Sequence, residues 1–389
     1  MQTETLTFSF FLIFSGAALL ASVALYTRQP LIIAYIILGA LIGPYGFELV
    51  TDIQLLEESG HIGIIFLLFL LGLDMQPQAL MAVVKKATLV ALASSGIFAG
   101  VGFGIAYLFG FTLAECAVIG AAMMFSSTII SIKLLPTTVL HHKHAGELII
   151  GLLLIQDLVA IFVLIVLFSS NSGQFNIGEI GMALVSLPLL CIAAFLMVKY
   201  CLLPLITRFD RFHEYIFLLA IGWCLGLAEA ANVVGLSTEI GAFIAGIMLA
   251  TSPISQYIAI NLKPLRDFFL ILFFFALGAR FDLTLLVDIA LPALLLAVIM
   301  TGLKPLVFRF LLQGMKEHRD LAWSVGFRLG QNSEFSLLIA YVAAGTMLIG
   351  KEASHLIQAT AILTFLISTY IVIFNFTTPI APSDRLRRD

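Results

Sequence analysis

The sequence predicts an all-α polytopic membrane protein of about thirteen transmembrane helices, since a span needs about 20 apolar residues and the chain offers that many such runs. Composition carries the first step. Of the 389 residues 61% are hydrophobic and 11% charged, with a mean hydropathy of +1.10, values that exclude a soluble globular protein. The partition of Lys and Arg between alternate loops and an internal repeat seven spans apart add the architecture: inverted-topology repeats with two crossed discontinuous helices.

In chain order the runs cover 7–26, 30–48, 60–80, 87–110, 112–135, 145–169, 178–203, 214–230, 235–250, 266–281, 284–312, 320–347 and 353–377. The first has full span length and no basic leading segment, unlike a cleaved signal peptide. Spans 8, 9 and 10 are short enough to admit a merged or re-entrant pair. Cys116, Cys191, Cys201 and Cys224 lie within or at the edges of apolar runs without metal-ligand spacing, so they read as small core residues.

With the N-terminus outside, sixteen basic residues fall on the cytoplasmic side and only Arg280 and Lys351 on the other. Lys and Arg bias sets orientation, so an odd number of spans with a cytoplasmic C-terminus is expected. Lys304 and Arg328 are left over, both inside spans.

GALIG at Gly39–Gly43 echoes GAFIAG at Gly241–Gly246, an offset of 202, and FLLGLD at Phe69–Asp74 echoes FALGAR at Phe275–Arg280, an offset of 206. The polar interruption Ser126, Ser127, Thr128 in span 5 meets a second, Gln331, Asn332, Ser333, Glu334, in span 12 at nearly the same offset. An odd displacement of seven spans opposes the two copies, as in the inverted repeats of secondary transporters. The expected organisation is a single transmembrane domain over 1–389, with repeats at about 7–169 and 214–377 linked by the span at 178–203.

Span 6, around Gly146 to Phe168, carries Gln156 and Asp157 at its middle. A carboxylate at bilayer depth costs about 2.5–3.5 kcal/mol, so it is retained where it faces the protein interior or a water-filled cavity. Asp157 is therefore the candidate ion- and proton-binding residue. It can hold a proton or a hard monovalent cation, and not both. Gln156 offers an amide oxygen to a dehydrated cation, or it bonds the backbone of a broken helix.

Unwound backbone at membrane depth is tolerated where it is buried or lines a cavity, which ties both interruptions to a site. When two broken helices cross antiparallel, like ends meet, and fixed side-chain charges are expected beside them. Lys304, Glu334 and Arg328 are the candidates. Lys304 lies about eight residues from its end of span 11 and Asp157 about a dozen from the start of span 6, a difference that a lysine stem covers at 1.5 Å per residue. The two are expected to pair. Adding 205 to 157 reaches Ile362 and subtracting 205 from 304 reaches Ala99, so one half supplies the acid and the other the base. Glu334 either orients the crossing or balances half-helix N-termini, and Arg328 either snorkels toward the cytoplasm or pairs with Glu334. The run His141, His142, His144 is a pH-responsive group or part of a solvated loop.

FSSTIISIKLL, LLLIQDLVAI and LGQNSEFSLLI, with GPYGFELVTD and FLLFLLGLDMQP, together resemble the Kef branch of the monovalent cation:proton antiporter-2 family. The resemblance covers essentially the whole chain. It implies a sodium/proton antiporter-like fold of thirteen spans, a homodimer in the bacterial inner membrane, and a mobile core domain beside a dimerisation domain. Asp157 and Gln156 match the family's ion-binding pair and Lys304 its core basic residue, while Ser126, Ser127 and Thr128 match the first broken helix and Gln331, Ser333 and Glu334 the second. A single acid in the pair implies electroneutral one-for-one exchange. The cytosolic nucleotide-binding domain of many Kef-type proteins is not expected within 1–389, which end at DRLRRD, and Arg328 departs from the apolar residue of relatives.

The function expected is exchange of a monovalent cation, potassium favoured, for protons by alternating access. A gated potassium efflux channel on the same fold and a sodium/proton antiporter are the alternatives. An enzyme is not expected, because Asp157 has no matched second acid or metal-ligand set beside it; nor are a cofactor or a nucleic-acid partner.

Overall fold

The computed structural model describes residues 6–378 except 51–53, 75–76, 136–143, 169, 172–173, 176, 210, 235, 237, 251, 253 and 283–285. The first half contains α1 (Leu6–Tyr26), α2 (Leu31–Ile42), α3 (Gln54–Asp74), α4 (Pro77–Leu108), α5 (Leu113–Met123), α6 (Thr128–Lys133) and α7 (His144–Phe168). A short antiparallel ribbon of β1 (Ser170–Asn171) and β2 (Gln174–Phe175) follows, pairing Ser170 with Phe175. Next come α8 (Ile177–Met197), a π-helical turn at Val198–Leu202 and α9 (Leu203–Arg208). The second half contains α10 (His213–Val233), α11 (Thr238–Ala250), α12 (Ser255–Ala279), α13 (Leu286–Gly314), α14 (Arg319–Arg328), α15 (Glu334–Gly345) and α16 (Lys351–Asn375).

Among the described residues seven helices are long and apolar enough to cross a membrane, and shorter apolar helices such as α2, α5, α11 and α15 pack between them. Spans 5 and 12 each divide into two helices, so neither half reaches membrane length. Spans 8, 9 and 10 are separate helices. The helix of span 10 begins at Ser255 rather than 266, because SQYIAINLKPL is helical without being apolar: hydropathy reports burial in lipid, not helicity. Helix α2 stops at Ile42, earlier than the expected 48, where Gly43 donates to Gly39 O at 2.9 Å and Pro44 follows.

The glycine motifs explain the tightest packing. A Cβ on Gly39 would lie 2.0 Å from Phe275 O and 2.7 Å from Ala279 N, so α2 crosses α12 backbone to backbone. A Cβ on Gly246 would lie 2.1 Å from Phe69 O and 2.9 Å from Leu73 N, so α11 crosses α3 in the same way. GALIG therefore docks on FALGAR, and GAFIAG on FLLGLD. The glycine making the closest approach is Gly39 in one crossing and Gly246 in the other.

One hydrophobic cluster, built on Phe98, Phe125, Phe308 and Phe365, joins α4–α7 and α13–α16 and takes in Ile33 of α2, Leu68 of α3, Phe243 of α11 and Phe274 of α12. A second joins α3 to α8–α12 around Trp223, whose indole N–H donates to Ala245 O at 3.0 Å. Cys116 and Cys224 are buried, whereas Cys201 is exposed on the π-helical turn, which corrects its reading as a core residue.

Candidate functional site

Helix α5 begins with a capping box in which Thr112 and Glu115 satisfy each other's backbone N–H groups, and Glu115 also accepts the Gly350 N–H at 3.0 Å. It ends at Met123, ahead of the serines that compete with helical hydrogen bonding. Ser127 Oγ accepts the Ile130 N–H at 3.1 Å and so caps α6. In the second break Ser333 Oγ accepts the Phe335 N–H at 3.1 Å and caps α15. The polar residues singled out in both spans thus terminate one half-helix and start the next.

The two breaks cross and are bonded to each other. Ser126 Oγ donates to Leu329 O at 2.8 Å, and Ser336 Oγ donates to Ala122 O. Gln331 Nε2 donates to Ser131 Oγ at 2.8 Å and Arg328 O at 3.0 Å, while its Oε1 accepts from Ser368 Oγ at 2.9 Å. Asn332 N–H donates to Thr364 Oγ1 at 3.0 Å, and its side-chain amide to Met123 Sδ at 3.1 Å.

Asp157 lies beside this crossing, 1% exposed, and accepts Thr128 Oγ1 at 3.2 Å and 3.5 Å through its two oxygens. Glu334, the first residue of α15, is also buried. Gln156 Oε1 accepts the Ser126 N–H at 3.1 Å and its Nε2 donates to Met124 O at 3.4 Å. Of the two readings of Gln156, the amide here holds the unwound backbone of the first break.

Lys304 departs from its expected partner. Its ammonium, fully buried, donates to Phe125 O at 2.6 Å and Gln331 O at 3.0 Å and stands 5.5 Å from the Phe98 ring centroid. No ion pair joins it to Asp157 among the described residues. The reason is the crossing: the C-terminal ends of α5 and α14 converge with carbonyls that lack helical donors, and a cation there satisfies both. Arg328 also goes to carbonyls, Nη1 to Leu134 O at 2.6 Å and Nη2 to Thr377 O at 2.7 Å, instead of to Glu334. Cations thus meet the C-terminal ends of the half-helices, and Asp157 and Glu334 lie at the N-terminal ends of α6 and α15.

Sequence reading passed over Ser131, Ser336, Thr364 and Ser368. Their signal was present: Thr364 and Ser368 stand four residues apart in an apolar span, one face of a helix. His144 pairs with Glu317 at 2.9 Å, joining the start of α7 to the segment before α14; His141 and His142 lie outside the described residues.

A multi-helix membrane bundle with two broken helices crossing at a buried acid is the architecture of the sodium/proton antiporter fold. The solved sodium proton antiporter MjNhaP1 of Methanocaldococcus jannaschii superposes with a TM-score of 0.67 over 96% of each chain at 18% identity. The chain belongs to the sodium/hydrogen exchanger transmembrane family, which matches residues 11–376. It is 28% identical to K(+) efflux antiporter 6 of Arabidopsis thaliana over 88% of this chain and 59% of that protein. It is also 28% identical to the glutathione-regulated potassium-efflux system protein KefC of Klebsiella pneumoniae, over 90% of this chain and 58% of that one. The chain thus spans somewhat under two thirds of the length of these relatives.

Proposed function

We propose that this protein exchanges a monovalent cation, potassium in preference to sodium, for protons by alternating access, with Asp157 as the shared site. The observation that carries the reading is a carboxylate 1% exposed at the crossing of two broken helices, hydrogen-bonded by a neutral hydroxyl and not neutralised by Lys304. A bare carboxylate is costly in a low-dielectric interior, whereas a protonated or cation-bound one is not. The loaded site can therefore change sides and the empty one is held back. That asymmetry makes the exchange obligatory, and one acid in the pair makes it one for one. Potassium over sodium is supported by the relatives, which are potassium efflux proteins.

Inverted repeats at about 7–169 and 214–377 are part of the proposal. They are supported by α1 and α10, and α7 and α16, which recur at a spacing of 207 residues. At that spacing the counterpart of Asp157 is Thr364 rather than Ile362, so the acid of one half answers to a hydroxyl in the other. The homodimer, the bacterial inner membrane, an outside N-terminus and a cytoplasmic C-terminus belong to the same reading.

The test is proton movement in proteoliposomes after addition of potassium or sodium. Asp157→Asn is expected to abolish exchange of both ions; exchange at the wild-type rate would overturn the mechanism.

A further inference from the structure

Helix α6 is six residues long, about 9 Å at 1.5 Å per residue, too short to be stable on its own. Its position is therefore set by the core that Ile130 and Leu134 pack into and by what holds its ends. At the N-terminal end Thr128 donates its hydroxyl to Asp157. At the C-terminal end Leu134 O accepts from Arg328 Nη1 at 2.6 Å, and one turn earlier the Ser131 hydroxyl, 2.6 Å from Ser127 O of its own segment, also lies 3.1 Å from Arg328 O. A single residue of the second broken helix thus grips the first broken helix at two points.

Arg328 is 3% exposed, and its charge is met by carbonyls at two helix ends. Its other amino group donates to Thr377 O at 2.7 Å, just beyond α16, and its guanidinium carbon lies 5.8 Å from the Phe376 ring centroid. Its Nε reaches Ser324 Oγ at 3.4 Å, within its own helix. A planar guanidinium spans two divergent acceptors; an ammonium is a point donor on a flexible stem.

We propose that Arg328 is a positioning residue for the exchange site: by pinning α6 to the end of α16 it sets the place of Thr128, and through Thr128 the geometry in which Asp157 takes its cation. The inference rests on the reading of Asp157 as the exchange site. Arg328 itself touches neither cation nor proton. Movement of the segment after α16 would reach Asp157 by this route, about 9 Å through α6.

The experiment is a double-mutant cycle in proteoliposomes, with half-saturating potassium, maximal rate and the pH profile of exchange measured for each variant. Arg328→Lys is expected to raise half-saturating potassium about fivefold or more and to shift the pH profile, with maximal rate within about twofold of wild type. Thr128→Val is expected to do the same, and the double variant to be no worse than the more impaired single one by more than about twofold. Ser131→Ala keeps the buried guanidinium and its carbonyls in place; it serves as the second probe should Arg328→Lys not fold, and its effect must likewise vanish in the Thr128→Val background. Effects that multiply, or variants with wild-type potassium dependence and pH profile, overturn the inference. Asp157→Asn in the same vesicles separates the two claims. If it is dead while Arg328→Lys and Ser131→Ala behave as wild type, the positioning role alone falls; if it exchanges normally, the underlying reading falls.

Discussion

Two buried cations in this protein are spent on backbone carbonyls. Lys304 satisfies Phe125 O and Gln331 O, so its removal leaves two acceptors without a donor in a place water does not readily reach, at about 1–3 kcal/mol each. Lys304→Met is accordingly expected to lower thermal stability in detergent by several degrees. Because Lys304 and Asp157 are bonded to different groups, the loss should be the same, within about 0.5 kcal/mol, in the Asp157→Asn background. A smaller loss in that background would restore the ion pair expected from their depths. Gln156 belongs to the same scale. Its amide holds Ser126 N–H and Met124 O, so Gln156→Ala is expected to loosen the first break and weaken cation dependence, measured as a smaller potassium-induced rise in melting temperature.

At the scale of elements, the sequence motifs taken as repeats are the crossing surfaces. Gly39 on α2 meets Phe275 and Ala279 on α12, and Gly246 on α11 meets Phe69 and Leu73 on α3. A methyl group at either position would overlap a carbonyl oxygen of another helix, which cannot move aside as a flexible side chain can. Gly39→Ala and Gly246→Ala are therefore expected to cost more than the 1–3 kcal/mol typical of overpacking, roughly, and to reduce folded yield. Gly100→Ala, on α4 with nothing within 4 Å of the added carbon, is the control expected to fold normally. Fluorescence-detected size-exclusion profiles report all three. The broken helices follow the same logic in polar form: their ends are legible as Ser and Gln clusters because Ser127 and Ser333 cap the next half-helix locally, but Ser126 and Ser336 take their partners, Leu329 O and Ala122 O, from the other broken helix.

Across the whole molecule, one core runs through α4–α7 and α13–α16 and reaches α2, α3, α11 and α12, and a second joins α3 to α8–α12, so the two meet at α3, α11 and α12. At the end of α12, Phe281 stands edge-on to His355 of α16, with ring centroids 4.9 Å apart, and the Asp282 N–H is donated to His355 Nε2 at 3.2 Å. His355 Nδ1 bonds Lys351 O of its own helix at 2.7 Å, so this link joins the start of α16 to the end of α12. Alternating access requires such contacts to separate on one side at a time. Phe281→Cys with His355→Cys, on a background without the native cysteines, is expected to lose exchange when bridged by a short reducible cross-linker and to regain it on reduction. Full exchange by the bridged protein would place the moving boundary elsewhere.

Membrane class, the two breaks and the buried acid follow from the order of residues alone, because apolar run length, helix-capping chemistry and the cost of a charge in lipid are properties read along one dimension. That the break at Thr128 lies beside Asp157 and is paired with the break at Gln331 was likewise within reach of the recurrence of polar interruptions. Which carbonyls lack a donor was not. The orientation of each helix about its own axis and the antiparallel crossing of the breaks decide that Lys304 meets Phe125 O and Gln331 O instead of Asp157. The same crossing decides that Gln156 bonds backbone and that Arg328 reaches Leu134 and Thr377. Depth in the membrane can be counted from a sequence; direction around a helix is settled by the helices packed against it.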